Sequence, residues 1–284
     1  MSESVERRKP VMLSRLLLLL SAALVAFYLV AGAIVSLNQR WFIYVPPTFT
    51  SMHMDRLARA ANLERWTNSA GQPIGMKRLS PRQPAQGSVL VLYGNGNCTV
   101  NCANYVNDIQ NVAPFDVFIL EYPGYEDRPG SPSQKSLFNA ANEAFYLLPT
   151  NRPIYLLGES LGSGVATYLA GTYSNKIAGV VLISPFNSLT DVAQSHFPLL
   201  PVRWLLADRF PSESYLRNYR GKLGVTIDGQ DTVVPKKFGL RLFDGYAGPK
   251  KLWEFPDGGH CQITEEPPKF WREVVEFWQR DSAR

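Results

Sequence analysis

The sequence has few of the residues that define several classes of small protein. Among 284 residues there are only three cysteines and three histidines. Three cysteines cannot form a disulfide-dense scaffold, and no two histidines are close enough in the chain for a zinc-finger or HExxH site. Charged residues make up 19% and aromatic residues 12% of the chain, which excludes a disordered protein. The length suits one large domain or two small ones.

The chain also has little excess charge of either sign. Its formal net charge is +5, and +3 of this falls within residues 1–40. The remainder is close to balanced and contains no basic stripe, so the sequence does not predict a nucleic-acid-binding protein.

Residues 16–37 contain no charged side chain. At about 1.5 Å per residue, a helix of this length can cross a hydrocarbon core of about 30 Å. The basic residues that flank the run are Arg7, Arg8, Lys9 and Arg15 before it and Arg40 after it. The positive-inside rule therefore predicts a cytoplasmic segment at 1–15, a transmembrane signal anchor at 16–37, and the rest of the chain outside the cytoplasm. In a Gram-negative bacterium that side is the periplasm.

Two other interpretations of this run remain open. Residues 31–33 (Ala-Gly-Ala) form a small-x-small site, as in a cleaved signal peptide, although the apolar region of such peptides is shorter, at about 7–15 residues. A buried helix of a soluble protein is the second alternative, but the run has no polar face.

After residue 40, short apolar runs alternate with helical patterns. This alternation predicts a mostly parallel central sheet with helices on both faces, an α/β fold. Outer strands are predicted at 41–45 and 74–79. The remaining predicted strands are 88–93, 116–122, 153–157, 177–183, 223–227 and 250–255, and the predicted helices are 132–148, 161–172, 236–243 and 265–280.

A G-x-S-x-G motif lies at residues 158–162, between a predicted strand and a helix rich in small residues. In that context the motif forms a tight turn that lifts the serine, here Ser160, above the sheet. A side chain at either glycine would collide with the neighbouring strand or helix. The alternative is a simple turn before a packed helix.

A serine hydroxyl needs a base to become a nucleophile, and the base is usually histidine. Acid and then histidine follow the serine in chains with this motif, which excludes His53. Asp231 and His260 come after successive strands, and two glycines before His260 let its loop fold back over Ser160. His196 lies among Phe, Pro and Leu and is interpreted as structural. An oxyanion would need two backbone N–H groups, predicted at Leu161 and Asn95.

These motifs resemble the α/β-hydrolase superfamily over roughly residues 41–280. Within it the chain is similar to small, often membrane-anchored serine hydrolases with a minimal lid, a group that includes depalmitoylase-like members. The stretches that carry the likeness are LYGNGN (92–97), EYPGYEDRPGSPS (121–133), GESLGSG (158–164), DGQDTVVP (228–235) and PDGGH (256–260).

The resemblance implies an α/β-hydrolase fold with one N-terminal transmembrane helix, in which Ser160 is the nucleophile, Asp231 the acid and His260 the base. It implies cleavage of a carboxylic ester, thioester or amide through an acyl-enzyme, with no metal or organic cofactor. The family commonly has His-Gly where this chain has Tyr-Gly at 93–94 and Asp-Gly at 228–229; neither is a triad position.

A single domain is expected at 41–284, with a short lid-like insert at 187–222. The insert is rich in Leu, Phe and Trp; it supplies either an apolar wall for an acyl chain or ordinary packing between connecting helices. The expected partners are a small-molecule or lipid acyl substrate and the membrane.

Two alternative functions use the same residues. An acyltransferase would pass the acyl group to an acceptor other than water through the same triad. A non-catalytic binding protein on this fold would have lost a triad residue, and none is lost. For the cysteines, a bridge between Cys98 and Cys102 would be strained, whereas one from either to Cys261 is conceivable.

Overall fold

The structure is a computed structural model, and it describes residues 9–262 and 267–280. Its centre is an eight-stranded sheet with the order β1-β2-β4-β3-β5-β6-β7-β8. β1 and β2 are antiparallel to their neighbours, and the strands from β4 to β8 in that order are parallel. The strands are β1 Glu64–Thr67, β2 Pro73–Arg78, β3 Gly87–Leu92, β4 Phe115–Leu120, β5 Ile154–Glu159, β6 Ile177–Ile183, β7 Lys222–Asp228 and β8 Lys250–Phe255.

Helices precede the first strand, occupy every connection from β3 onward and follow the last strand. They are α1 Lys9–Leu37, α2 Gln39–Ile43, α3 Ser51–Ala60, α4 Ala103–Val112, α5 Gln134–Leu147, α6 Leu161–Thr172, α7 Leu189–His196, α8 Val202–Leu205, α9 Ser212–Leu216, α10 Lys236–Gly245 and α11 Pro267–Gln279. Every residue of β3, β4 and β5 is buried, so helices cover both faces of the sheet. The predicted parallel α/β architecture is confirmed.

The predicted strand at 41–45 is wrong. Residues Gln39–Ile43 form the short helix α2, which follows α1 almost directly. The run WFIYV has high strand propensity, but here its first two rings point outward and Trp41 is 78% exposed. Tertiary contacts decide the conformation, because Arg40 and Tyr44 both donate to the buried carboxylate of Asp208.

Two further elements near the N-terminus, α3 and β1, were not predicted. The hydroxyl of Thr50 caps α3 by accepting the N–H of His53. The helix buries Met54 and Ala58, which are four residues apart and therefore share a face. At the other end of the chain, the predicted helix at 265–280 corresponds to α11; its first two predicted residues lie outside the described residues.

Helix α1 is long and apolar enough to cross a membrane. Residues Leu13–Leu37 have a mean hydropathy of 2.5, and only 6% of the most apolar stretch is buried. A buried core helix is therefore not what this segment forms. The insert at 187–222 contains α7, α8 and α9 and lies beside the end of α1, where Ser36 and Gln39 donate to the carbonyl oxygen of Leu205.

Candidate active site

Ser160 lies on the sharp turn between β5 and α6. Its backbone has φ +48° and ψ −115°, a conformation that costs energy for any residue with a side chain. The turn is held by the N–H of Ser160, which donates to the carbonyl oxygen of Ile183 at 2.9 Å. A Cβ on Gly158 would be 2.7 Å from the Ala166 Cβ, and one on Gly162 would be 1.9 Å from the Leu92 carbonyl oxygen. Both glycines of the motif are therefore needed for the strand and helix to approach this closely.

The structure brings Ser160, His260 and Asp231 into one hydrogen-bonded chain. The Oγ of Ser160 is 2.9 Å from Nε2 of His260, and Nδ1 of His260 is 2.7 Å from Oδ2 of Asp231. The three residues follow β5, β8 and β7. Because these strands are parallel, their carboxyl ends meet at the same edge of the sheet.

The carboxylate of Asp231 is held in one orientation. Its Oδ1 accepts the backbone N–H groups of Val233 and Val234, each at 2.8 Å, which leaves Oδ2 to face His260. The Asp231 side chain is 2% exposed and the His260 side chain 24%. The acid is thus enclosed, while the imidazole borders the open side of the site.

A second set of polar contacts supports the loop that carries His260. The hydroxyl of Ser184 donates to Oδ2 of the buried Asp228 and accepts the N–H of Cys261, the residue after His260, at 2.9 Å. Burial raises the pKa of the Asp228 carboxyl, and the charge of Asp231 raises it further. Sequence reasoning did not find Ser184 or this role of Asp228. The available signal was that Asp228 replaces the family's usual histidine at the end of β7.

Asn95 and Leu161, the predicted oxyanion donors, border the same cavity as Ser160. Neither backbone N–H donates to another group within the described residues. The side chain of Asn95 fixes its loop: Oδ1 accepts the N–H of Val45 at 2.8 Å and the hydroxyl of Tyr125 at 2.7 Å, and Nδ2 donates to the carbonyl oxygen of Ile43 at 2.8 Å. The α2 segment and the loop that carries Asn95 are thereby joined.

Tyr93, which stands where the family commonly has histidine, is fully buried behind this loop. Its hydroxyl donates to Glu126 at 3.1 Å, and its carbonyl oxygen accepts the hydroxyl of Tyr122 at 2.9 Å. Nearby, Oε1 of Glu121 accepts the N–H groups of Asp127 and Arg128, while Oε2 has no partner among the described residues. Burial, together with the charges of Glu126 and Asp127, raises the pKa of Glu121 to about 8.

A cavity of about 370 Å³ opens beside Ser160. Its size is within the range of small-molecule sites, about 300–1,000 Å³. Most of its lining side chains are apolar, and they come from five stretches of the chain. The lining residues are Val35, Ser36, Gln39, Phe42 and Ile43 from α1 and α2; Leu189, Val192, Ala193, His196, Phe197, Leu200, Val202, Leu205 and Leu206 from the insert; Asn95, Ser160, Leu161 and Phe186; and Val233 and Val234.

The other histidine and cysteine candidates lie outside the hydrogen-bonded chain of Ser160. His196 lines the cavity, and its Nε2 donates to the carbonyl oxygen of Val233 at 2.9 Å. All three cysteines are free thiols. Burial raises the pKa of the Cys102 and Cys261 thiols, which opposes formation of a reactive thiolate. Within residues 9–262 and 267–280, no three His, Cys, Asp or Glu side chains are grouped so that they could hold a metal ion.

Known proteins resemble this chain in sequence and in fold. The model of the α/β hydrolase fold matches residues 87–214. An uncharacterized protein of Mycobacterium tuberculosis is 36% identical over 149 residues, covering 51% of this chain and 52% of that protein. The lysophosphatidylserine lipase ABHD12 of Danio rerio is 27% identical over 185 residues, covering 57% of this chain and 48% of that protein. An uncharacterized membrane protein of Saccharomyces cerevisiae, YNL320W, is 33% identical over 153 residues, covering 51% of this chain and 54% of that protein.

Solved structures share the fold at low identity. A monoacylglycerol lipase of Paleococcus ferrophilus aligns with a TM-score of 0.57 and 20% identity, covering 76% of this chain and 98% of that one. The esterase Pf2001 of Pyrococcus furiosus aligns with a TM-score of 0.62 and 16% identity, covering 84% and 97%. The chain therefore has the α/β-hydrolase fold. It spans about half the length of the curated relatives it matches.

Proposed function

We propose that this protein is a membrane-anchored serine hydrolase that cleaves a carboxylic ester or thioester through an acyl-enzyme on Ser160. The observation that carries the proposal is the hydrogen-bonded chain from Ser160 through His260 to Asp231. It contains a nucleophile, a base and an acid in the order and at the distances that acyl transfer requires.

In the proposed reaction, Nε2 of His260 accepts the proton of the Ser160 hydroxyl as its Oγ bonds to the substrate carbonyl carbon. The resulting oxyanion is stabilised by the backbone N–H groups of Leu161 and Asn95. His260 then gives its proton to the leaving alcohol or thiol, and the acyl group stays on Ser160. A water molecule repeats the sequence, releasing the acid and restoring the hydroxyl.

Asp231 stabilises the imidazolium that forms at each proton transfer. Its Oδ2 also keeps the proton of neutral His260 on Nδ1, so that Nε2 is free to act as the base. Because two backbone N–H groups hold Oδ1, the acid cannot rotate away from this task.

The cavity favours an acyl substrate. Apart from the polar groups around Ser160, its walls are chiefly aliphatic and aromatic side chains, which suit a hydrocarbon chain better than a polar one. Lipases and esterases among the relatives and structural neighbours support the same substrate class.

We also propose that α1 is a retained anchor. Its flanking charges favour a cytoplasmic N-terminus, with the domain 41–284 outside the cytoplasm. The hydrogen bond from the hydroxyl of Tyr28 to the carbonyl oxygen of Leu199 in the insert would be lost if the chain were cleaved near residue 33. Protease added to intact cells or spheroplasts should digest the domain; a domain protected with cytoplasmic proteins would reverse the orientation.

The activity is tested with the purified full chain on p-nitrophenyl esters and acyl thioesters of increasing chain length. Wild type should release free acid, and Ser160→Ala should not. Glycerol or another alcohol added as acceptor separates the alternatives: an acyltransferase would form mainly the new ester. Equal activity of Ser160→Ala and wild type would reject the proposed nucleophile.

A further inference from the structure

The insert runs alongside α1 for several helical turns. The hydroxyl of Tyr28 donates to the carbonyl oxygen of Leu199 at 2.6 Å. Nearer the end of the helix, Ser36 and Gln39 donate to the carbonyl oxygen of Leu205 at 3.2 and 3.1 Å. The segment 197–206, here called the insert loop, is therefore attached to the side of the apolar helix.

The position of Tyr28 sets the depth of the insert loop. Tyr28 lies about 14 Å along the helix axis from Leu37, at about 1.5 Å per residue. The apolar span has 25 residues, about 37 Å, against a hydrocarbon core of about 30 Å. Even if all the excess of about 7 Å projected on the domain side, the backbone at Leu199 would lie about 7 Å inside the core.

The surface of the insert loop suits such a position. Leu199 is 85% exposed, Trp204 86% and Phe197 57%, and on α2 the rings of Trp41 and Phe42 are also exposed. Large apolar side chains grouped on a surface mark an interaction site. Trp residues are typical of the boundary between lipid and water. The group continues the apolar surface of α1, which identifies lipid as the partner.

Most carbonyl groups of the insert loop accept a hydrogen bond from within the protein, which suits a lipid environment. Nε2 of Gln194 donates to the carbonyl oxygens of Phe197 and Leu200 at 3.2 and 3.0 Å. The carbonyl oxygen of Leu199 accepts the hydroxyl of Tyr28, and that of Pro201 accepts the N–H of Trp204 at 3.0 Å.

The same surface borders the candidate active site. Val35 and Ser36 of α1 line the cavity beside Ser160. Phe42 and Phe197 line it too and are themselves exposed, so the cavity reaches the outside between the anchor and the insert loop.

We propose that the insert loop is embedded in the leaflet next to the domain, and that the acyl chain of a membrane lipid enters the cavity sideways from that leaflet, between α1 and the insert loop. The substrate class is thus an acyl lipid resident in the bilayer rather than a water-soluble ester. This inference rests on the proposed function for the lipid's cleavage, but the depth of the loop is independent of catalysis.

The depth is measured with the full chain in phosphatidylcholine vesicles that contain lipids brominated at known chain positions. Of the six tryptophans, Trp41 and Trp204 are strongly exposed and the others are buried or half-buried in the domain. The bromines should quench the tryptophan fluorescence of the wild type. The W204F variant should lose the fluorescence that is quenched by the bromines deepest in the bilayer. The W41F variant, which lacks the tryptophan nearer the membrane surface, serves for comparison. Absence of bromine quenching attributable to Trp204 would overturn the embedding.

Lateral entry is tested by Leu199→Asp and Trp204→Asp, since neither residue lines the cavity. An acidic side chain in the hydrocarbon region is strongly disfavoured, so turnover of an acyl lipid in vesicles should fall about tenfold or more. Turnover of p-nitrophenyl butyrate and fluorophosphonate labelling should stay unchanged. The control Leu79→Asp replaces an exposed leucine distant in sequence from α1 and the insert loop and should affect neither substrate.

Equal loss of both activities in Leu199→Asp and Trp204→Asp, or no loss on vesicles, would overturn lateral entry. Failure of the wild type to react with either substrate or with the probe would instead reject the proposed hydrolase, while the bromine quenching would still report the position of the loop.

Discussion

Replacing Asp231 by asparagine changes one atom of the site and should nearly abolish turnover. The two N–H groups of Val233 and Val234 select an oxygen at the Oδ1 position. Turning the amide the other way would leave both donors without an acceptor, at about 1–3 kcal/mol for the buried N–H of Val234. The asparagine NH2 group must therefore face Nδ1 of His260, which then has to accept a hydrogen bond.

With Nδ1 as the acceptor, the proton of neutral His260 moves to Nε2, which can no longer take a proton from Ser160. An Asp→Asn change of this kind lowers kcat by about 10⁴-fold in a serine protease, equivalent to about 5.5 kcal/mol in activation free energy. The assay is kcat on p-nitrophenyl butyrate, with the thermal midpoint measured in parallel to show that the variant is folded.

Asp257→Asn is the matched control, because Asp257 is exposed and lies three residues before His260. It should retain activity within about twofold, since surface substitutions are usually near neutral. A folded Asp231→Asn variant that loses less than about tenfold would refute the orienting role of Asp231.

The remaining predictions concern packing, chain-length selection and pH. Gly162→Ala should prevent folding, because its Cβ would overlap the Leu92 carbonyl oxygen. Gly245→Ala has open space around the added Cβ and should express normally. The yield of soluble protein after extraction distinguishes the two outcomes. Val192→Phe fills the cavity wall and should lower turnover of dodecanoyl esters at least about tenfold relative to butanoyl esters. The raised pKa of Glu121 means that the folded state binds its proton more tightly, so wild-type stability should fall as pH rises from about 4.5 to about 8. The thermal unfolding midpoint of Glu121→Gln should fall less steeply than that of wild type over the same pH range. A pH dependence equal to that of wild type would contradict this prediction.

The sequence was most informative where local geometry fixes the structure. The turn at Ser160 follows from two glycines that no larger residue can replace, and α6 has the predicted bounds. The edge shared by Ser160, Asp231 and His260 follows from parallel strands, each of which ends just before the functional loop.

Features that depend on distant contacts could not be predicted. The run at 41–45 has strand-forming residues, yet contacts with Asp208 and Asn95, far along the chain, hold it as α2 and the loop that follows. The support of the His260 loop by Ser184 and Asp228 joins positions on three separate segments. No local pattern carries that information.

The central claim is that Ser160 is the nucleophile, and covalent labelling tests it most directly. The full chain is treated with a fluorophosphonate probe, and the modified peptide is located by mass spectrometry. The account predicts one adduct on Ser160, no labelling of Ser160→Ala, and full labelling of Ser174→Ala, a serine just beyond the far end of α6. An adduct on another residue, or labelling that persists in Ser160→Ala, would contradict it.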